Sequence, residues 1–238
     1  MPYFDGGRGR LHYRRQSVTD PAARVALLPG TGQHSGHYHR FGRALEAAGI
    51  ELWTLDTAGH GLSEGDPDRP GTLPELAGDA RAFLDLIAAE PGPLLLMGHS
   101  LGAATALAAL DSGPRAATSG VATALSGLIL CGTPRAVLLG QAPKSARGSE
   151  NAAASRRNPD RTRAGQAAGP VVPEGVPVLI VHGVDDRRAP MEPVREWARG
   201  ISADFREYPD AGHDLLHEPV QGTVTADIAE WIGAVVAR

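Results

Sequence analysis

Short apolar runs, each closed by a turn-forming or polar residue, recur along the chain. Val25–Leu28 stops at Pro29-Gly30, Ile50–Leu55 at Asp56, Pro93–Met97 at Gly98, Leu128–Cys131 at Gly132, and Val178–Val181 at His182-Gly183. Apolar runs this short, without polar alternation, read as strands buried on both faces. Helical periods lie between them. Leu76, Ala80, Phe83, Leu84 and Ile87 share one face of a helix that Thr72 and Glu75 open at capping-box spacing. Val224, Ile228, Trp231, Ile232 and Val235 make a second stripe near the C-terminus. Strands alternating with helices predict crossover units: an α/β chain with a mostly parallel, twisted sheet and helices on both faces. The opening Tyr3–Arg15 stretch is too short for such a unit and reads as a β-hairpin at the sheet edge.

One region departs from this pattern. From Arg135 to Pro170 only Val137, Leu138 and Leu139 form an apolar run. Seven basic residues there (Arg135, Lys144, Arg147, Arg156, Arg157, Arg161, Arg163) face two acidic ones, Glu150 and Asp160. The expected organisation is one core built from residues 1–134 and 171–238, with residues 135–170 as a short basic cap inserted between two strands. Composition narrows the function classes. With 238 residues, 42% hydrophobic and 21% charged, the chain can bury a sizeable core. A formal net charge of −4 lacks the footprint of a nucleic-acid binder. A single cysteine, Cys131, rules out an internal disulfide framework or a multi-cysteine metal site. Met1–Asp5 begins no basic-then-apolar leader, and the apolar runs are too short for stable membrane insertion, so a cytoplasmic protein is expected.

The chemistry centres on Gly98-His99-Ser100-Leu101-Gly102, a G-x-S-x-G motif between the Leu94–Met97 run and the helix-forming Ala103–Leu110. A strand–turn–helix around that serine is what a nucleophile elbow requires, because the sharp turn lifts the hydroxyl clear of the sheet. Gly61-Leu62-Ser63-Glu64-Gly65 matches the same pattern but runs into Asp66-Pro67, so Ser63 reads as a turn residue. A serine nucleophile needs a histidine base oriented by an acid, in the chain order serine, acid, histidine. The turn after Val178–Val181 offers Asp185 and Asp186. Phe205–Tyr208 reads as a short strand that leads to His213. Cys131 ends a core run and reads as a buried, inert thiol.

Gly32–Tyr38, the Asp56–Gly65 segment DTAGHGLSEG, GHSLG, HGVDD and DAGHDLL resemble the monoacylglycerol lipase/lysophospholipase branch of the α/β-hydrolases across nearly the whole chain outside the insertion. The resemblance implies the α/β-hydrolase fold, Ser100 as nucleophile, His213 as base, and Asp186 rather than Asp185 as the acid. It also implies an oxyanion hole from the backbone N–H groups of Leu101 and Thr31. Pro29 stands where the family pattern has histidine, Gln33 where it tends to have glutamate, and Ala58 where arginine is usual. The implied activity is ester hydrolysis, with monoacylglycerols as candidates. Because only Val137, Leu138 and Leu139 of the short basic cap could line an acyl tunnel, short to medium acyl chains are expected. The expected partner is therefore a small-molecule acyl ester, with no cofactor and no metal.

Alternatives remain. A thioesterase or amidase would use the same triad, and a non-catalytic ligand-binding or degenerate hydrolase would keep the same fold. His34, His37 and His39 have a spacing that could suggest metal. No carboxylate or cysteine adjoins them, and they read as a lip of the active site. Oligomeric state is not legible in the sequence.

Overall fold

The computed structural model describes residues 2–69, 71–111, 125–138, 170 and 172–238. Eight strands form one sheet: β1 (Tyr3–Gly6), β2 (Gly9–Gln16), β3 (Ala23–Leu28), β4 (Ile50–Leu55), β5 (Leu94–His99), β6 (Leu125–Cys131), β7 (Val178–Gly183) and β8 (Asp204–Tyr208). Their order is β1-β2-β4-β3-β5-β6-β7-β8. The β1–β2 hairpin sits at the edge, and β2 joins β4 antiparallel. All later pairings are parallel. The apolar runs therefore became strands of one mostly parallel sheet, most extended by a residue or two.

The helices are α1 (His39–Ala47), α2 (Leu73–Ala88), α3 (Leu101–Leu110), the short α4 (Arg135–Leu138), α5 (Met191–Gly200) and α6 (Gln221–Val236). Strand residues alternate between two cores. Val25, Leu27, Leu95, Met97 and Ile129 pack toward α1 and α6, whereas Ala26, Leu28, Leu96, Leu128 and Leu130 pack toward α2, α3 and α5. The Thr72–Glu75 capping box forms as expected, with the Glu75 carboxylate accepting the Thr72 amide at 2.7 Å.

Two helices, α1 and α5, have little sequence signal. Each buries a thin stripe (Phe41 and Leu45; Val194 and Ala198) and carries charged residues over much of the remaining surface. Val137 and Leu138 differ from their expected role. Both turn into the core beside Val194 and Ala198 instead of lining a tunnel, because α4 packs on α5. Leu139 and most of the 135–170 insertion lie outside the described residues. No helix among the described residues is long and apolar enough to cross a membrane.

Parallel register aligns the carboxyl ends of the strands. Leu28 pairs with Gly98, His99 with Cys131, Cys131 with Val181, and Gly183 with Tyr208. The loops leaving β3, β5, β6, β7 and β8 therefore open along one edge, where ligands of open α/β sheets bind.

Candidate active site

Ser100 occupies the turn between β5 and α3 with φ 52° and ψ −112°, a left-handed φ rarely held by a residue with a side chain. Its amide donates to the Cys131 carbonyl at 2.9 Å, and its own carbonyl accepts the Ala103 amide at 2.9 Å. The two motif glycines are there for close approach. A Cβ on Gly98 would lie 2.4 Å from the Gly102 carbonyl oxygen, and one on Gly102 would lie 1.9 Å from that of Leu28. Only bare backbone lets α3 start so near β3.

The structure brings together the three residues expected from sequence. His213 Nε2 lies 2.8 Å from Ser100 Oγ, and His213 Nδ1 lies 2.7 Å from Asp186 Oδ2. The other Asp186 oxygen accepts the amides of Arg188 and Ala189, both at 2.8 Å. Burial works against the charge on Asp186. The hydrogen bonds from His213 and from the two amides outweigh it and hold the carboxyl below its ordinary range. Asp185 is exposed, its amide bonded to the Ala211 carbonyl. The turn after β7 thus orients only one of the two adjacent carboxylates toward the imidazole.

His213 is also fixed through its backbone, by residues that sequence reasoning missed. The Glu218 carboxylate accepts the amides on either side of it, from Gly212 at 2.6 Å and Asp214 at 3.0 Å. The His213 carbonyl lies 3.1 Å from His99 Nε2. A carbonyl can only accept, so Nε2 carries the ring proton of a neutral His99. Burial holds the His99 pKa down to about 4.

The turn after β3 has its own brace. The Gly30 amide donates to Gln33 Oε1 at 3.1 Å, and the Tyr38 hydroxyl donates to the same oxygen at 2.5 Å. That hydroxyl also lies 3.1 Å from His99 Nδ1, and burial raises the Tyr38 pKa. Gln33 and Tyr38 thus steady the loop in which Pro29 replaces the family's histidine. Among the described residues, the Thr31 and Leu101 amides have no hydrogen-bond partner. Both residues line a cavity of about 660 Å³ together with Ser100, Gln33, His99 and His213.

The remaining candidates fall into supporting positions. The Ser63 hydroxyl donates to the Asp56 carbonyl at 2.5 Å and accepts the His12 amide at 2.8 Å, which makes it a turn residue. The Asp56 carboxylate accepts the amides of Ser35 at 2.6 Å and Leu62 at 3.0 Å, tying two loops of the site together. His34 caps a 3-10 turn over Ser35–Tyr38 and lies against His37, with ring centroids 4.2 Å apart and the rings tilted by 55°. His182 is buried, with Nε2 2.7 Å from the Ala189 carbonyl. Cys131 is buried, and its thiol pKa is pushed up by that burial.

Comparison with known proteins places this architecture. The family described as serine aminopeptidase, S33 (Hydrolase_4) matches residues 19–155. The monoacylglycerol lipase of Mycolicibacterium smegmatis is 29% identical over 251 aligned positions, covering 90% of this chain and 89% of that one. Among solved structures, ferulic-acid-bound Est1E from Butyrivibrio proteoclasticus superposes with a TM-score of 0.74 at 18% identity, over 100% of both chains. A soluble variant of Saccharomyces cerevisiae monoglyceride lipase, in complex with a substrate analog, gives 0.72 at 18% identity, over 98% of this chain and 94% of that one. At such identities the two structures speak for the fold alone. Taken with the matching family, they settle the assignment: the chain belongs to the serine aminopeptidase S33 family and has the α/β-hydrolase fold.

Proposed function

We propose that this protein is a serine hydrolase that cleaves carboxylic esters of short to medium acyl length, monoacylglycerols among them, through an acyl-enzyme on Ser100. The observation that carries the reading is the unbroken line of short contacts from Ser100 Oγ through the His213 ring to Asp186. In this reading His213 Nε2 removes the Ser100 proton as Oγ attacks the acyl carbonyl. Asp186 keeps the other ring proton on Nδ1 and stabilises the imidazolium that forms. The negative charge on the carbonyl oxygen is met by the Leu101 and Thr31 amides, which have no hydrogen-bond partner among the described residues. His213 then returns its proton to the departing alcohol. Water, deprotonated by the same ring, releases the acid.

The chain-length preference rests on the cavity wall. Its apolar residues, among those described, are Leu101, Pro134 and Ala136. Each methylene buried is worth about 0.8 kcal/mol, roughly a fourfold gain, so a wall this small stops rewarding chain growth early. The test is kcat/KM across 4-nitrophenyl esters of increasing acyl length, beside Ser100→Ala and Ser63→Ala. A maximum at short to medium chains is expected, with turnover and fluorophosphonate labelling lost in Ser100→Ala and mostly retained in Ser63→Ala. A rate still climbing at the longest chains would overturn the chain-length reading. Equal losses in the two variants would overturn the nucleophile. A thioester or amide cleaved faster than its matching ester would redirect the reaction class.

A further inference from the structure

The cavity above Ser100 carries charge that binding a neutral ester does not use. Arg135, at the start of α4, and Arg188, in the loop after β7, both line it. Asp214 is the acidic residue among its described lining. The Arg188 guanidinium stands 3.9 Å from Asp214 Oδ2, beyond hydrogen-bonding distance, while Asp214 Oδ1 accepts from Gln33 Nε2 at 3.3 Å. Arg135 is exposed and has no ion pair among the described residues. Two guanidinium groups against one carboxylate leave a local excess of positive charge. The chain as a whole has the opposite sign, with a formal net charge of −4. The excess at the cavity therefore runs against the overall sign of the chain, and Arg135 brings to it the basic character of the 135–170 segment.

We propose that the preferred substrate carries an anion of its own, a carboxylate-type group on the acyl or alcohol part, seated against Arg135 and Arg188. The inference rests on the serine-hydrolase reading and narrows its substrate class. A guanidinium suits this role because its planar donors match the two oxygens of a carboxylate and its charge does not titrate. Arg188 contributes to the Asp186 turn only through its backbone amide, and its exposed side chain, held by no more than the long approach to Asp214, can turn to a substrate anion. Ester and anion are then held at two points, which orients the carbonyl toward Ser100.

The experiment compares ester pairs that differ in charge. On the acyl side these are the mono-4-nitrophenyl ester of adipic acid and 4-nitrophenyl hexanoate; on the alcohol side, the hexanoyl ester of glycolate and ethyl hexanoate. A charge-assisted hydrogen bond contributes roughly 1.5–3 kcal/mol, so the charged member of one pair should exceed its neutral twin in kcat/KM by about 10- to 100-fold. The pair that responds tells which side of the ester carries the anion. The ratio should shrink in about 0.5 M salt, and should fall several-fold in Arg135→Gln and in Arg188→Gln. Using a ratio within each variant cancels any loss of folded enzyme. Charged-to-neutral ratios at or below one in both pairs would overturn the inference while leaving the hydrolase reading intact. So would ratios that neither substitution moves. No cleavage of any ester, with Ser100 unlabelled by a fluorophosphonate, would overturn the hydrolase reading itself.

Discussion

Ser100 holds a backbone conformation that costs roughly 1–3 kcal/mol, and the turn survives because its amide and carbonyl are both bonded. Asp186 shows the same economy at a side chain. One oxygen is occupied by the Arg188 and Ala189 amides, so only the other is left to face His213. Asp186→Asn makes a sharp test of that arrangement. The new amide could keep the two backbone bonds through its oxygen while presenting N–H groups to Nδ1. The ring proton would then be forced onto Nε2, the atom that must accept from Ser100. The expected loss in kcat is on the order of 10⁴, the size of a wrong-tautomer defect in serine-histidine-aspartate enzymes. Asp185→Asn, one residue away and exposed, should stay within about twofold. Similar losses in the two variants, measured as kcat on one activated ester, would reject Asp186 as the orienting acid.

At the level of elements, the loop between β8 and α6 explains how a reacting side chain can stand on a turn and still be precise in position. Glu218 accepts the amides flanking His213, and its own amide donates back to the Asp214 carbonyl at 3.1 Å. Glu218→Ala removes both side-chain bonds. It should lower kcat by about 10- to 100-fold with KM little changed, because a misplaced base costs chemistry more than binding. Asp227→Asn, which weakens the bond from the Tyr208 hydroxyl on the same side of the fold, is the stability control and should lower the melting temperature without that kcat loss. Equal kcat effects in the two would reduce Glu218 to a structural role. This clamp was not legible in the sequence, since nothing in the residue types of the Asp214–Glu218 turn announces a carboxylate folded back on it. The Gln33–Tyr38–His99 brace was hidden for another reason: His99 lies more than sixty residues from its partners. The strands were legible because buried parallel strands need unbroken apolar runs, and a glycine, proline or polar residue ends each of them. The elbow was legible because Gly98 and Gly102 are imposed by contact with backbone, which no other residue type could satisfy. The α1 and α5 helices escaped because each offers the core only two or three side chains.

Across the whole molecule, the histidines link the integrity of the site to pH. Burial lowers the pKa values of His34, His99, His182 and His217, and for His99 the folded-state value is about 4. The unfolded chain has an ordinary imidazole at about 6.5, so between these values it binds the proton that folded His99 refuses. The His99 contribution, up to about 3 kcal/mol, is fully present above pH ~6.5, falls as the pH drops toward 4, and is gone below that. The other three histidines act with the same sign. Asp56 and Asp186, whose carboxyls are held down, lose their contributions only below the ordinary carboxylate range, so they stay outside this window. Asp79 runs the other way, since burial raises its pKa and acidification relieves a buried charge. His99→Gln isolates the leading contribution, because a glutamine does not titrate and can still donate to the His213 carbonyl. Urea unfolding at pH 7 and pH 5 should cost the unmodified protein about 2 kcal/mol more than the variant. Equal losses would mean that folded His99 takes up its proton over the same range as the unfolded chain, so that at pH 5 both ring nitrogens donate, to Gln33 Oε1 at 2.9 Å and to the His213 carbonyl. A charge that comes and goes across this pH range would then sit beside the base, in place of the neutral prop that the burial of His99 dictates.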